Sequence, residues 1–186
     1  MITRRKAAFG TLAIGSLCLA SGKPAFAASA SELVEKSDAA LNSLYASEPK
    51  AVALGNKAKA ILVFPRIIKA GFMVGAQSGD GAFFENGVAT SFYNISAASY
   101  GFQAGAQTFS YALFFMTDKA IAYLKASSGW SVGAGPSVVV LDKGAAKSVT
   151  SSTLTQDVYA IPFGQRGLMA GIGLEGSKIT HINPGP

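Results

Sequence analysis

The side chains that could support catalysis are few in this chain. His181 is its one histidine and Cys18 its one cysteine, so these residue types cannot assemble a zinc site. A serine–histidine–carboxylate triad would have to use His181, and no nucleophile-elbow sequence supplies its serine. No pair stands out among the carboxylates considered for acid–base catalysis, which are Asp80, Glu85, Asp118, Asp142, Asp157 and Glu175. We therefore expect a protein that is not an enzyme and that holds no metal or cofactor.

A glycine-rich segment near the C-terminus matches the dinucleotide-binding fingerprint as a string. Gly171–Gly176 has the spacing Gly-x-Gly-x-x-Gly. The fingerprint requires a following helix and an acidic residue ~20 positions further on, but ten residues remain after Gly176 and they end in Pro-Gly-Pro. The segment is better interpreted as a bend in a glycine-rich strand.

An uneven distribution of charge marks a candidate binding surface. Between Glu48 and Asp80 there is no acidic residue, while the same stretch holds Lys50, Lys57, Lys59, Arg66 and Lys69. Apolar residues alternate with these cations. Basic and apolar side chains together favour binding to an anionic membrane surface. A solvated helix face followed by a core strand has the same composition, so both interpretations stay open on the charges alone.

The N-terminus has the features of a signal peptide. Arg4, Arg5 and Lys6 precede an apolar run over Ala7–Ala20, and Ala25-Phe26-Ala27 offers a cleavage site after Ala27. The run is too short for a spanning helix, which needs ~20 apolar residues. Secretory and twin-arginine export both remain open.

Removal of this segment changes the charge of the protein. Residues 1–27 carry four of the 16 basic residues and none of the 10 acidic ones, so 28–186 has a net charge of +2. That balance gives no reason to expect a nucleic-acid partner. Residues 28–186 have the length of a single domain.

The elements that must position these side chains indicate an α+β fold. We predict a helix over Ser29–Ser47 with a start signal at Ser31, a short helix from Pro49 to about Lys59, and a helix over Asp118–Ala126 capped by Asp118. A buried strand, Ile61–Phe64, is expected to stop at Pro65, and Glu85-Asn86-Gly87 predicts a hairpin. Further predicted strands are Phe72–Gln77, Ala82–Glu85, Val88–Tyr93, Tyr100–Met116, Trp130–Leu141, Val158–Phe163 and Leu168–Ile182.

The spacing of glycines predicts that the sheet is curved. The segment Gly71–Gln77 recurs in similar form as Gly101–Gln107, and glycine in a strand allows close backbone approach or a bend at a barrel corner. We therefore expect N-terminal helices packed on a curved, mostly antiparallel sheet or barrel-like core, with one internal helix.

Four segments, taken together, resemble the SYLF domain, also called the Ysc84-like actin-regulator domain. They are Lys59–Pro65, Ser99–Gln107, Gly133–Pro136 and Gly167–Ser177, and the resemblance spans about Ser31–Ile182. It implies a lipid-binding domain over 28–186. Eukaryotic members bind phosphoinositides through a basic, amphipathic N-terminal segment and some bind actin filaments; bacterial members are exported.

The resemblance favours the membrane interpretation of the basic stretch. It implies an exported protein of the periplasm or cell envelope, peripheral to a membrane, that binds anionic phospholipid through Lys50, Lys57, Lys59, Arg66 and Lys69. Actin is not an expected partner of an exported protein. Two alternatives remain: a soluble carrier of one apolar ligand or lipid inside the β core, and a structural envelope protein that assembles with itself.

Overall fold

The structure, a computed structural model, describes residues 28–141, 155–167, 174 and 176–185, and for 100–104 it describes the backbone alone. The predicted signal peptide lies outside the described residues, as do Asp142, Glu175 and most of the Gly171–Gly176 motif.

Three helices lie within the described residues. They are α1 (Ala30–Ser47), α2 (Pro49–Gly55) and α3 (Asp118–Ala126). The sequence predicts all three helices, although it predicts a longer α2. Both predicted N-caps are wrong: the cap of α1 lies two residues before the predicted one, and the cap of α3 lies one residue before it. Ser29, not Ser31, caps α1 and accepts from the Glu32 N–H at 3.3 Å. Thr117 caps α3 through the Ala120 N–H, which places Asp118 in the first turn.

Helix α2 is shorter than predicted because the backbone that follows it forms hydrogen bonds with the sheet. It ends at Gly55 rather than near Lys59. The Lys59 N–H donates to the Phe115 carbonyl oxygen at 2.8 Å, and the first strand begins at Ala60. A backbone already committed to a strand partner cannot continue the i to i−4 pattern of a helix.

One long antiparallel hairpin dominates the sheet. Strand β1 (Ala60–Glu85) pairs with β2 (Val88–Phe115) along its whole length. Asn86 and Gly87 have φ of 51° and 78°, the positive values of a type I′ turn, which confirms the predicted hairpin. The predicted stop at Pro65 is wrong, because a break in register between Phe64 and Ile67 accommodates the proline as a β-bulge.

The remaining strands flank β2. They are β3 (Trp130–Ser131), β4 (Val138–Val140), β5 (Val158–Gly167) and β6 (Lys178–Ile182), and the sheet order is β3-β6-β2-β5-β4 with β1 on the other side of β2. The pair β4–β5 is parallel; the other described pairs are antiparallel. The single predicted strand Trp130–Leu141 is therefore two strands, because Gly133 and Gly135 adopt positive φ between them.

The sheet curls into a half-barrel, which confirms the predicted α+β fold with a curved sheet. At a bend in β1, Met73 has φ of 61° and the register shifts between Phe72 and Val74. Past the bend the strand returns over its own first half. A Cβ at Gly79 would lie 2.5 Å from the Arg66 carbonyl oxygen, so only glycine permits this crossing.

Both faces of the sheet are covered in its core region, away from the exposed middle part of β1. On the inner face, α3 and Trp130 pack against aromatic side chains that include Phe64, Phe83 and Phe115. On the outer face, α1 and α2 pack through Leu41, Leu44, Ala51 and Leu54. Burial on both faces explains why the strands contain continuous apolar runs rather than alternating patterns.

Candidate functional site

The first three predicted lipid-binding residues lie around α2. Lys50 is half-buried in the first turn of α2, whereas Lys57 and Lys59 are exposed in the segment that joins α2 to β1. The Lys59 ammonium forms an ion pair with Asp118 at the start of α3. Its charge is therefore already partly balanced within the protein.

The other two predicted residues lie in β1 and differ in exposure. Arg66 is exposed at the bulge, whereas Lys69 is 8% exposed and has an interaction partner within the protein. Ten positions separate Lys59 from Lys69, which corresponds to about 30 Å along the path of an extended strand. The structure therefore spreads the five residues over α2, its connection to the sheet and two positions of β1.

The exposed face of β1 carries a cation and apolar side chains in one row. Arg66, Ile68, Ala70 and Phe72 are exposed, while Ile67 and Lys69 between them are buried. Alternate residues of a strand share a face, so the row runs from a guanidinium group to an aromatic ring. Ile68 is 49% exposed.

The row ends at a cluster of exposed apolar side chains, which we call the apolar corner. It consists of Phe72, Met73 and Val74, with exposed fractions of 75%, 56% and 53%. The positive φ of Met73 and the register shift beside it interrupt the regular alternation of the strand, and all three side chains are exposed. Sequence reasoning did not single out these residues; the available signal was a run of three large apolar residues between Gly71 and Gly75.

Of the carboxylates considered for acid–base catalysis, the four that the structure describes, Asp80, Glu85, Asp118 and Asp157, interact with other parts of the fold. Asp80 accepts from the Asn94 amide at 2.7 Å. Hydrogen bonds from Lys125 and then Thr90 hold the pKa of Glu85 below its usual range. His181 is exposed in β6, and its ring meets the Tyr93 ring edge-on at 5.4 Å. Within the described part of the chain, no group of three or more histidine, cysteine, aspartate or glutamate residues is placed to hold a metal ion.

The protein is thus an α+β half-barrel in which one bent strand presents an exposed arginine and exposed apolar side chains. No helix among the described residues has the length and apolarity to cross a bilayer.

Comparison with protein families identifies the fold. The Ysc84 family model, described as Las17-binding protein actin regulator, matches residues 96–183 of the chain. The resemblance to the SYLF domain is thereby confirmed. The match includes most of β2, α3 and the later strands, but all five predicted lipid-binding residues precede it. No curated protein sequence matches the chain.

Proposed function

We propose that this protein is an exported, non-enzymatic lipid-binding protein that associates reversibly with anionic phospholipid at an envelope membrane. The observation that carries the proposal is the apolar corner, where Phe72, Met73 and Val74 are exposed at the end of a row that contains Arg66. The match of residues 96–183 to a family that is generally lipid-binding supports it. Export is proposed from the signal-peptide features of residues 1–27.

The energetics favour insertion of the corner over attraction by charge alone. Full transfer of a large apolar side chain out of water contributes about 1.5–3 kcal/mol. A lysine or arginine near an anionic surface contributes about 1 kcal/mol. Two or three inserted side chains therefore outweigh any one cation, while the basic residues draw the protein to the surface and orient it.

A vesicle flotation assay with phosphatidylglycerol vesicles tests the corner. We expect the double variant Phe72→Ser/Val74→Ser to bind about tenfold to a hundredfold more weakly than the original protein, since 1.4 kcal/mol corresponds to a factor of ten. The matched control is Val88→Ser/Tyr123→Ser, which removes exposed apolar side chains elsewhere. Equal loss in both double variants, with unchanged circular dichroism, would show that the corner has no special role.

The same assay tests the predicted basic residues. The triple variant Lys50→Gln/Lys57→Gln/Lys59→Gln is compared with Lys36→Gln/Lys119→Gln/Lys178→Gln, three exposed lysines elsewhere. We expect about a tenfold loss for the first triple variant, because Asp118 already balances Lys59. Binding by both should weaken with salt, as screening shortens the Debye length. Equal losses would assign the attraction to net charge rather than to this stretch.

Export is tested by intact mass. Protein recovered from the envelope fraction of its native host should begin at Ala28, because Ala25-Phe26-Ala27 provides small residues where signal peptidase cleaves. A mass that retains Met1 would contradict this part of the proposal.

A further inference from the structure

Three adjacent strands break their register at the same level of the sheet. Phe64 pairs with Tyr111 and Ile67 with Phe109, so the β1 bulge lies opposite Ser110. On the other side of β2, the register with β5 also shifts between Thr108 and Ser110. The Ser110 hydroxyl donates to the Pro65 carbonyl oxygen at 2.8 Å and ties two of these strands together. Bulges re-aim side chains, and they concentrate near functional sites.

The two register breaks lie beside a pocket beneath α1, which we call the arginine pocket. Its volume is about 500 Å³. Helix α1 contributes Ala40 and Ser43, β1 contributes Pro65 and Arg66, β2 contributes residues 108–110, and β5 contributes Phe163, Gly164 and Arg166. Gly164 has φ of 62°, a conformation that turns β5 at this point.

Both arginines of residues 28–186 line this pocket. The other ten basic residues of that range are lysines, and the two remaining arginines of the chain, Arg4 and Arg5, precede it. Arg66 and Arg166 are 100 positions apart in sequence, and the β1–β2–β5 arrangement brings them to one cavity. Arginine differs from lysine in presenting a planar fork of donors that matches the oxygens of a phosphate.

The described residues that form the pocket do not compensate its positive charge. The described lining contains no aspartate or glutamate. Neither arginine forms an ion pair with a described acidic side chain. Two guanidinium groups in one cavity repel each other, and an anion between them relieves that repulsion. The Ser43 and Thr108 hydroxyls supply further donors, whereas the Ser110 hydroxyl is already committed to Pro65.

We infer that the arginine pocket binds the phosphate group of a phosphate ester, with Arg66 and Arg166 as its two ligands. The source is either the headgroup of a phospholipid or a free phosphorylated molecule. If the source is a phospholipid, the inference rests on the proposed function and adds a headgroup-binding site that is separate from the apolar corner. The free-ligand case stands without it.

Calorimetric titration of the purified protein with glycerol 3-phosphate and with inorganic phosphate tests the site. We expect binding that weakens about tenfold in Arg66→Gln and in Arg166→Gln, and about a hundredfold in the double variant. Arg66→Lys/Arg166→Lys should recover only part of the affinity, because a lysine cannot make the bidentate contact. The matched control, Lys119→Gln/Lys178→Gln, removes two exposed cations and should bind as the original protein does. Thermal unfolding of each variant verifies the fold.

Vesicle flotation distinguishes the two sources. If the double arginine variant also loses phosphatidylglycerol vesicles, and glycerol 3-phosphate competes with them, the pocket holds a headgroup. If flotation is unchanged while phosphate binding is lost, the ligand is a free phosphate ester, and the corner variant then reports separately on membrane binding. The inference is overturned if the folded double arginine variant binds both phosphates as the original protein does, or if the original protein binds neither at millimolar concentration.

Discussion

Asp157 shows how a single carboxylate joins three parts of this fold. Its side chain accepts from the Thr117 hydroxyl at 2.9 Å and from the Ser137 N–H at 3.0 Å, and its own carbonyl oxygen accepts from the Met116 N–H. Thr117 caps α3, and Ser137 precedes β4. The Ser137 backbone N–H and then the Thr117 hydroxyl hold the pKa of Asp157 below its usual range.

We expect Asp157→Asn to lower the free energy of unfolding at pH 7 by about 1 kcal/mol, a charge-assisted hydrogen bond discounted for solvent exposure. Because the folded-state pKa is lowered, this stabilisation is present above the unfolded pKa of about 3.9 and is lost as pH falls through the folded pKa. Urea unfolding at pH 7 should therefore separate the variant from the original protein more than unfolding at pH 3.

The control for this effect is Asp38→Asn. Asp38 is exposed on α1 and accepts from Asn42 within the same helix. An equal loss of stability at pH 7 in both variants would contradict a special role for Asp157.

At the scale of single residues, the sequence shows which charged residues are present, but it does not show their burial or their contacts. The excess of basic residues between positions 48 and 80 is a property of composition and is visible without a structure. The burial of Lys69 and the pairing of Lys59 with Asp118 depend on contacts between distant positions. The location of Arg66 and Arg166 at one pocket depends on strand register, which no local pattern encodes.

Strand β1 is the element in which the sequence is most easily misinterpreted. Pro65 and the glycines that follow are usual signs of strand ends, so the sequence predicts several short strands. In the structure, bulges accommodate these residues, and one strand of 26 residues passes through them. The repeated segments have related positions at the bend, since Gly71 pairs with Gly105. The repeat therefore correctly indicates a corner of the sheet, but it does not indicate that the strand continues through that corner.

The crossing of β1 over itself predicts a position that is sensitive to one methyl group. We expect Gly79→Ala to lower the free energy of unfolding by about 1–3 kcal/mol, the usual range for overpacking, because its Cβ would meet the fixed Arg66 backbone. Gly185→Ala is the control, since nothing lies within 4 Å of a Cβ there. Denaturant unfolding of the two variants measures the difference in stability. Similar unfolding midpoints would contradict the prediction and would mean that the backbone at the crossing can move to accommodate a methyl group.

At the scale of the whole molecule, the filling of the half-barrel bears on the carrier alternative. Phe64, Phe83, Phe109, Phe115 and Trp130 pack together on its inner face, and each is at most 1% exposed. Side chains in the described part of the chain thus occupy the space that a carried lipid would need. This packing favours binding at the surface.

We expect the purified protein to be free of stoichiometric lipid and still to float with anionic vesicles. Native mass spectrometry before and after solvent extraction measures the bound lipid directly. One lipid per protein that survives purification would favour the carrier. The same spectra report the oligomeric state, so a ladder of higher assemblies in the absence of lipid would favour the self-assembling envelope protein.

The continuous β1–β2 hairpin also has a consequence for how the chain folds. Pairing can begin at the Asn86–Gly87 turn, where Glu85 meets Val88, and extend residue by residue until Ala60 meets Phe115. Each further pair closes only a small additional loop, so the entropic cost of zippering rises slowly. Docking of β5 onto β2 instead requires closure of a long intervening segment. We therefore expect a rapid kinetic phase that forms the hairpin and a slower one that completes the sheet.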